Sequence, residues 1–183
     1  MLNTISGLLG DGAGVATSYE SISTTTVGAG GALSVTFSSI PSTYTHLQIR
    51  GFNRDTTVIS GSQVLTVQFN GDTAANYSLH RLTADGATAA AAGSASTSNF
   101  VVGTTIANVA NTFGTFVLDI LDYKDTNKYK TARTLEGSDA NGTGIVALRS
   151  GSWRSTSAIT SISLTPTGTG IAQYSSFALY GIK

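Results

Sequence analysis

Three carboxylates, Asp119, Asp122 and Asp125, follow one another at three-residue intervals, and Lys124, Lys128, Lys130 and Arg133 crowd the same stretch, "DILDYKDTNKYKTARTLEG". Oxygen-rich clusters of this kind are what calcium takes as ligands, and clustered cations are what a phosphate backbone attracts. On an extended chain a spacing of three alternates faces, so at most two of the aspartates converge, and the loop lacks the glycine and terminal glutamate of an EF-hand. Asp122, Asp125 and Glu136 are interleaved with the cations and cancel their field. The favoured reading is therefore a solvated hairpin, with two β-type runs, 116–123 and 129–137, flanking the turn formers of "KDTNK". Asp119 stands apart because it interrupts the apolar run "FGTFVLDILDY". A buried carboxylate there needs a structural partner, and Arg133 or Arg149 could supply it.

Other reactive groups are sparse. Tyr77 and His80 in "NYSLHRL" could serve a hydrolase, since triads assemble across space, but no G-x-S-x-G elbow or H-E-x-x-H pair is present. A glycosidase needs two carboxylates about 5 to 10 Å apart. The only glutamates are Glu20 and Glu136, and neither has a local signature. Trp153, the single tryptophan, sits beside Arg154 in "SGSWRST". Exposed, the indole would be a sugar-stacking, surface-binding platform together with Arg154; the competing reading is a ring that plugs the end of a core. The "TGTG" of 167–170 reads as a turn. No catalytic residue, metal or cofactor is expected.

Composition narrows the partners. The 183 residues carry ten basic and ten acidic side chains, a formal charge of zero, which offers no bulk attraction to nucleic acid or to an anionic membrane. There is no cysteine, so thiolate chemistry and disulfides are excluded, and only His46 and His80 could offer imidazole. No apolar tract approaches the roughly 20 residues of a membrane span, and "MLNTISGLLGDGAG" lacks a basic leader region. The reading is a soluble chain without a secretion signal. Only 11% of residues are charged, while Ser, Thr and Gly abound. Such a surface suits pleated sheets, and its low charge leaves copies little mutual repulsion, so much of it is expected to be covered by partners.

Periodicity supplies the elements that hold these residues. Leu2, Ile5, Leu8 and Leu9 recur at helical spacing in residues 1–18, which read as an N-terminal arm, with a possible short helix, that docks on a partner. From Tyr19 the period is two, and residues 19–183 are expected to form a single antiparallel β-sandwich domain, jelly-roll-like, of about ten strands. "ALSVTFSSI" puts Leu33, Val35 and Phe37 on one face; "HLQIRGFN" does the same for Leu47 and Ile49; "VLTVQFNGD" for Leu65, Val67 and Phe69, ending at the turn pair Asn70 and Gly71. Further strands are expected at 77–83, 99–103, 113–123, 129–137, 144–150, 158–165 and 174–182. The low-complexity stretch 84–99 reads as a surface loop. The 113–123 strand is apolar on both faces, so Phe116, Leu118 and Ile120 become candidates for a subunit interface, and a trimer is expected.

The motifs "SIPSTYTHLQIRG", "FNGDTAANYSLHRL", "DILDYKDTNKYKTARTLEG" and "SSFALYGIK" occur in an order that resembles a group of tailed-bacteriophage structural proteins, particularly those of cyanophages. The resemblance covers about residues 34–183. It implies a non-enzymatic β-sandwich subunit of a virion, assembled in the host cytoplasm. Two roles are compatible with it. One is a capsid decoration or cement protein that oligomerises on the head and contacts the major capsid protein or other virion proteins. The alternative is a tail-fibre or baseplate protein that binds a host-surface receptor or glycan. The absence of a coiled-coil or β-helical shaft favours decoration.

Overall fold

The computed structural model describes residues 18–56, 63–105 and 109–183. Leu2, Ile5, Leu8 and Leu9, and with them all of the expected arm but Ser18, lie outside the described residues. Twelve strands follow in chain order: β1 (Tyr19–Thr26), β2 (Val35–Phe37), β3 (His46–Asn53), β4 (Gln63–Phe69), β5 (Tyr77–Ala84), β6 (Ala89–Thr97), β7 (Phe100–Thr105), β8 (Gly114–Leu121), β9 (Lys130–Asp139), β10 (Gly144–Trp153), β11 (Ile162–Pro166) and β12 (Ser176–Ile182). They form two antiparallel sheets, β1-β12-β3-β8-β9-β10-β5-β6 and β2-β11-β4-β7. The protein is an all-β sandwich.

Within it, β1 pairs with β12, β2 with β11, β3 with β8 and β4 with β7. Such nested pairing, outermost with outermost, is that of a long antiparallel ribbon rolled into two layers, a jelly roll. The four strands left over, β5, β6, β9 and β10, are added beyond β8 and extend only the larger sheet. This extension is called the wing below.

Alternation along the strands fills the space between the sheets. Leu47, Ile49, Leu65, Val67, Phe69, Leu118, Ile120, Phe177 and Leu179 have no exposed surface. Each occupies every second position of its strand, as a half-buried sheet requires. Asn70 and Gly71 adopt φ of 52° and 67°, the left-handed pair expected of this dipeptide after β4. The Asn70 side chain also ties the turn to the segment before β11: its Oδ1 accepts from the backbone N–H of Thr160 and Ser161, and its Nδ2 donates to the Ala158 carbonyl.

Three expectations are corrected. Leu33 is 80% exposed, because β2 starts only at Val35 and the preceding residues belong to a loop. Residues 84–99 are largely a strand, β6, since hydrogen bonding to β5 supplies an order that Ala, Gly and Ser do not encode by themselves. Phe116, Leu118 and Ile120 are 3%, 0% and 0% exposed. They fill the chain's own core and are not a subunit interface; the opposite face of β8 carries Thr115, Val117, Asp119 and Leu121.

One close approach tests the packing. A Cβ placed on Gly181 of β12 would lie 2.3 Å from the Tyr44 ring, closer than real Cβ atoms come. Gly181→Ala is expected to cost about 1 to 3 kcal/mol by overpacking. Gly137→Ala, where nothing stands within 4 Å of the added carbon, should stay within about 0.5 kcal/mol of wild type. Urea denaturation of both variants checks the pair.

Candidate docking surface

The charged hairpin that raised the question of a metal is a turn tied by its own side chains and by His46, Ser42 and Thr156. Lys128 Nζ donates to Asp122 Oδ2 at 2.5 Å and lies 3.6 Å from Asp125. The Asn127 N–H donates to Asp125 Oδ1 at 2.7 Å and is the main cause holding that carboxyl below its usual range. Lys130 is 1% exposed, and its ammonium donates to the carbonyls of Asp125, Lys128 and Thr156 at 2.5, 3.1 and 3.1 Å. Burial lowers its pKa. Three carbonyls in place of water explain how a lysine can end inside a sandwich. Among the described residues no group of three or more His, Asp or Glu side chains could hold a metal ion.

Asp119 and Arg133 stand opposite one another across β8 and β9, yet they form no ion pair. The Asp119 carboxylate accepts instead from Gln48 Nε2 at 2.7 Å, and Gln48 Oε1 accepts from the Tyr19 hydroxyl at 2.6 Å and from Arg50 Nε at 2.9 Å. Gln48, directly opposite on β3, is fixed by two donors and is the better placed partner.

Trp153 is 3% exposed, which removes the surface-binding platform. Its ring lies 5.6 Å from Phe69 and 6.4 Å from Tyr77, and its Nε1 donates to Asp72 Oδ2 at 2.7 Å. Asp72 also accepts from Asn76 Nδ2 and from the Ala74 N–H, bonds that hold its carboxyl below the usual range. Arg154 is exposed, donating to the Ala75 carbonyl at 2.7 Å and to Ser96 Oγ at 3.2 Å. Tyr77 points into the core, where its hydroxyl accepts from the Phe69 N–H at 2.9 Å and donates to the Asp72 carbonyl at 3.2 Å. His80 points to the other face and lies over Gly93, so the two do not converge on a common site.

The functional signal lies in the wing, where alternation is inverted. β9 turns Lys130, Ala132, Thr134 and Glu136 inward and Leu135 outward; β10 turns Ala147, Arg149, Gly151 and Trp153 inward and Val146 and Leu148 outward. Leu135, Leu148 and Leu82 of β5 are 60%, 56% and 56% exposed. Strand register aligns them: Val117 faces Leu135, Leu135 faces Leu148, Leu148 faces Leu82, and Leu82 faces Ala91 of β6. Val146, Ala84 and Ala89 form a shorter neighbouring row. A depression of about 600 Å³ opens along the row between His80, Leu82, Ala91, Arg133, Leu148 and Ser150. Sequence reasoning missed this surface because it treats an alternating leucine as inward by default. The available signal was Arg149 and Glu136, charged residues in phase with Trp153 and Ala132.

Inside, Glu136 and Arg149 form an ion pair with 1% and 2% of their side chains exposed. Thr104 Oγ1 also donates to Glu136 Oε1 at 3.2 Å. Among the described residues, Glu136 Oε2 and Arg149 Nε and Nη1 are buried without a hydrogen-bond partner. A single-point contact of this kind contributes little net stability while making loss of one partner costly.

No protein-family model matches the chain, and no similar curated protein or solved structure was found.

Two measurements follow from this interior. Glu136→Ala strands a buried guanidinium and is expected to cost about 3 to 5 kcal/mol, whereas the double variant Glu136→Leu with Arg149→Met should be near neutral or stabilised. Denaturant midpoints of the three proteins check it. Tyr77, whose burial pushes its phenol from 10.0 up to about 12, keeps its proton better folded than unfolded. Its contribution is complete below pH 10 and is lost as pH rises toward about 12. Tyr77→Phe should therefore show a shallower fall in stability across that window, read as melting temperature against pH.

Proposed function

We propose that this chain is a non-enzymatic structural subunit of a tailed-phage particle, a decoration protein that lies on the head together with further copies of itself and stabilises the shell against the major capsid protein. The observation that carries the reading is the row Val117, Leu135, Leu148 and Leu82, an apolar band placed on the outer face of a sheet while Glu136 and Arg149 are turned inward. A sheet pays solvation to expose leucines and desolvation to bury charge, and such an arrangement is favourable when a partner covers the outer face. Covering it contributes on the order of 25 cal/mol per Å² before ordering costs.

The resemblance of the quoted motifs to those of phage structural proteins supplies the particle in this reading. Adhesion proceeds by area and repetition: each bound copy raises the effective concentration of the next contact on a symmetric lattice. In this reading residues 1–18 reach a neighbouring capsid subunit through Leu2, Ile5, Leu8 and Leu9. The trimer expected from Phe116, Leu118 and Ile120 loses its motivation, since those side chains belong to the core.

Immunogold labelling of intact particles is expected to decorate the head, and labelling confined to the tail would assign the chain to a fibre or baseplate. The double variant Leu135→Asp with Leu148→Asp alters only exposed side chains, so it should fold and yet lose capsid occupancy at least about tenfold. Undiminished occupancy would remove the outer face from the mechanism.

A further inference from the structure

The wing ends in an open sheet edge. β6 terminates the eight-stranded order, and among the described residues its only hydrogen-bonded neighbour is β5. The wing outgrows the smaller sheet, so Ala89 through Ser96 are exposed on both faces. An edge strand presents a row of unpaired N–H and C=O groups, and natural sheets protect such edges with charge, proline or bulges. The opposite edge, β1, is protected: it has a register shift at Ser21 and Ser23, and Glu20 is paired with Lys183 at 2.5 Å. β6 contains no charged residue and no proline. Its irregularity, with Ser96 at φ 55°, falls at the end near Thr97, and Ala89 to Ser94 pair regularly with β5.

We propose that the β6 edge pairs antiparallel with the β6 edge of a second copy of this chain, about a two-fold axis perpendicular to the sheet. The chemistry of an open edge specifies an extended strand as occupant, and three observations favour a second copy. A two-fold axis through Ala91 sets Ala92 opposite Ala90 and Gly93 opposite Ala89 of the second copy, and a strand without charge brings no like charges together there. The chain as a whole has a formal charge of zero, so copies approach without a long-range barrier. The apolar row reaches the edge at Ala91, opposite Leu82. With Ala91 facing Ala91 of the second copy, the two rows become collinear on one continuous outer face.

Area argues the same way. A standard interface takes about 800 Å² per side, and two copies joined edge to edge present the apolar row twice on one continuous face. The pairing thus deepens the proposed docking role and rests on it for its purpose, although not for its formation.

The chain has no cysteine, so single substitutions report geometry directly. Full-length Ala91→Cys is expected to give a disulfide-linked dimer on mild oxidation, and Leu135→Cys on the face of the row to remain monomeric under denaturing electrophoresis. Sedimentation equilibrium should find the wild-type chain dimeric at micromolar concentration and Ala91→Lys dissociating about tenfold more readily or beyond. A wild-type chain that sediments only as a monomer overturns the pairing, as does cross-linking through Leu135→Cys with none through Ala91→Cys, which would indicate face-to-face stacking. Particle binding is read separately. A dimer linked at Ala91 that does not bind heads supports the pairing and removes the virion role, while a strict monomer that occupies heads does the reverse.

Discussion

The register of β9 against β10 is the constraint on which the wing depends. Glu136 and Arg149 lie on the same inner face, joined to one another, in phase with Trp153 on one strand and Lys130 on the other. A slip of one residue in either strand would turn every side chain over. It would bring Leu135 or Leu148 inward, but it would also expel Trp153 from its stack with Phe69 and Tyr77 or pull Lys130 from its three carbonyls. The anchors at the open end of the hairpin, where Lys130 pairs with Trp153, outweigh the leucines nearer its turn. The ion pair contributes specificity more than stability, because the alternative register would leave both charges without their partner.

From that register the outer face follows without further assumption. Once Trp153 and Lys130 are inward, Leu135, Leu148 and Val146 have no choice of side, and hydrogen bonding to β8 and β5 brings Val117 and Leu82 into the same line. The smaller sheet cannot compensate by covering more, since its last strand, β7, lies over β8 and β9 and reaches β5 only in part. The wing therefore has an inner face that is roofed near the core and open at β6, and an outer face crossed by an apolar row with His80, Arg133 and Ser150 beside it.

The jelly-roll strands were legible in the sequence where alternation and burial agree. "HLQIRGFN" and "VLTVQFNGD" place Leu47, Ile49, Leu65, Val67 and Phe69 inward as their spacing demands, and Asn70 with Gly71 stops the second strand through their tolerance of positive φ. The charged hairpin was legible as a turn, although the burial of Lys130 was not, because a lysine inside is affordable only with carbonyl acceptors that come from distant residues such as Thr156. β6 was invisible: its Ala, Gly and Ser carry little strand preference, and it exists through its pairing with β5. The docking row was hidden for a related reason. Periodicity reports that two faces differ, and it leaves open which of them meets the core.

The nested order of the roll has a kinetic side. Its outermost pair joins Tyr19 of β1 to Ile182 of β12, and Thr26 meets Ser176 across 150 residues of sequence. Closure of so distant a pair carries its entropic cost before any contact offsets it, and sheets built this way fold slowly. The hairpins β5-β6 and β9-β10 are local in sequence, so they can form while the roll is still open. The open edge and the leucine row are then on display in an incomplete chain. A cell making this protein in quantity faces a choice between early pairing and aggregation, decided by how fast the roll closes behind the wing.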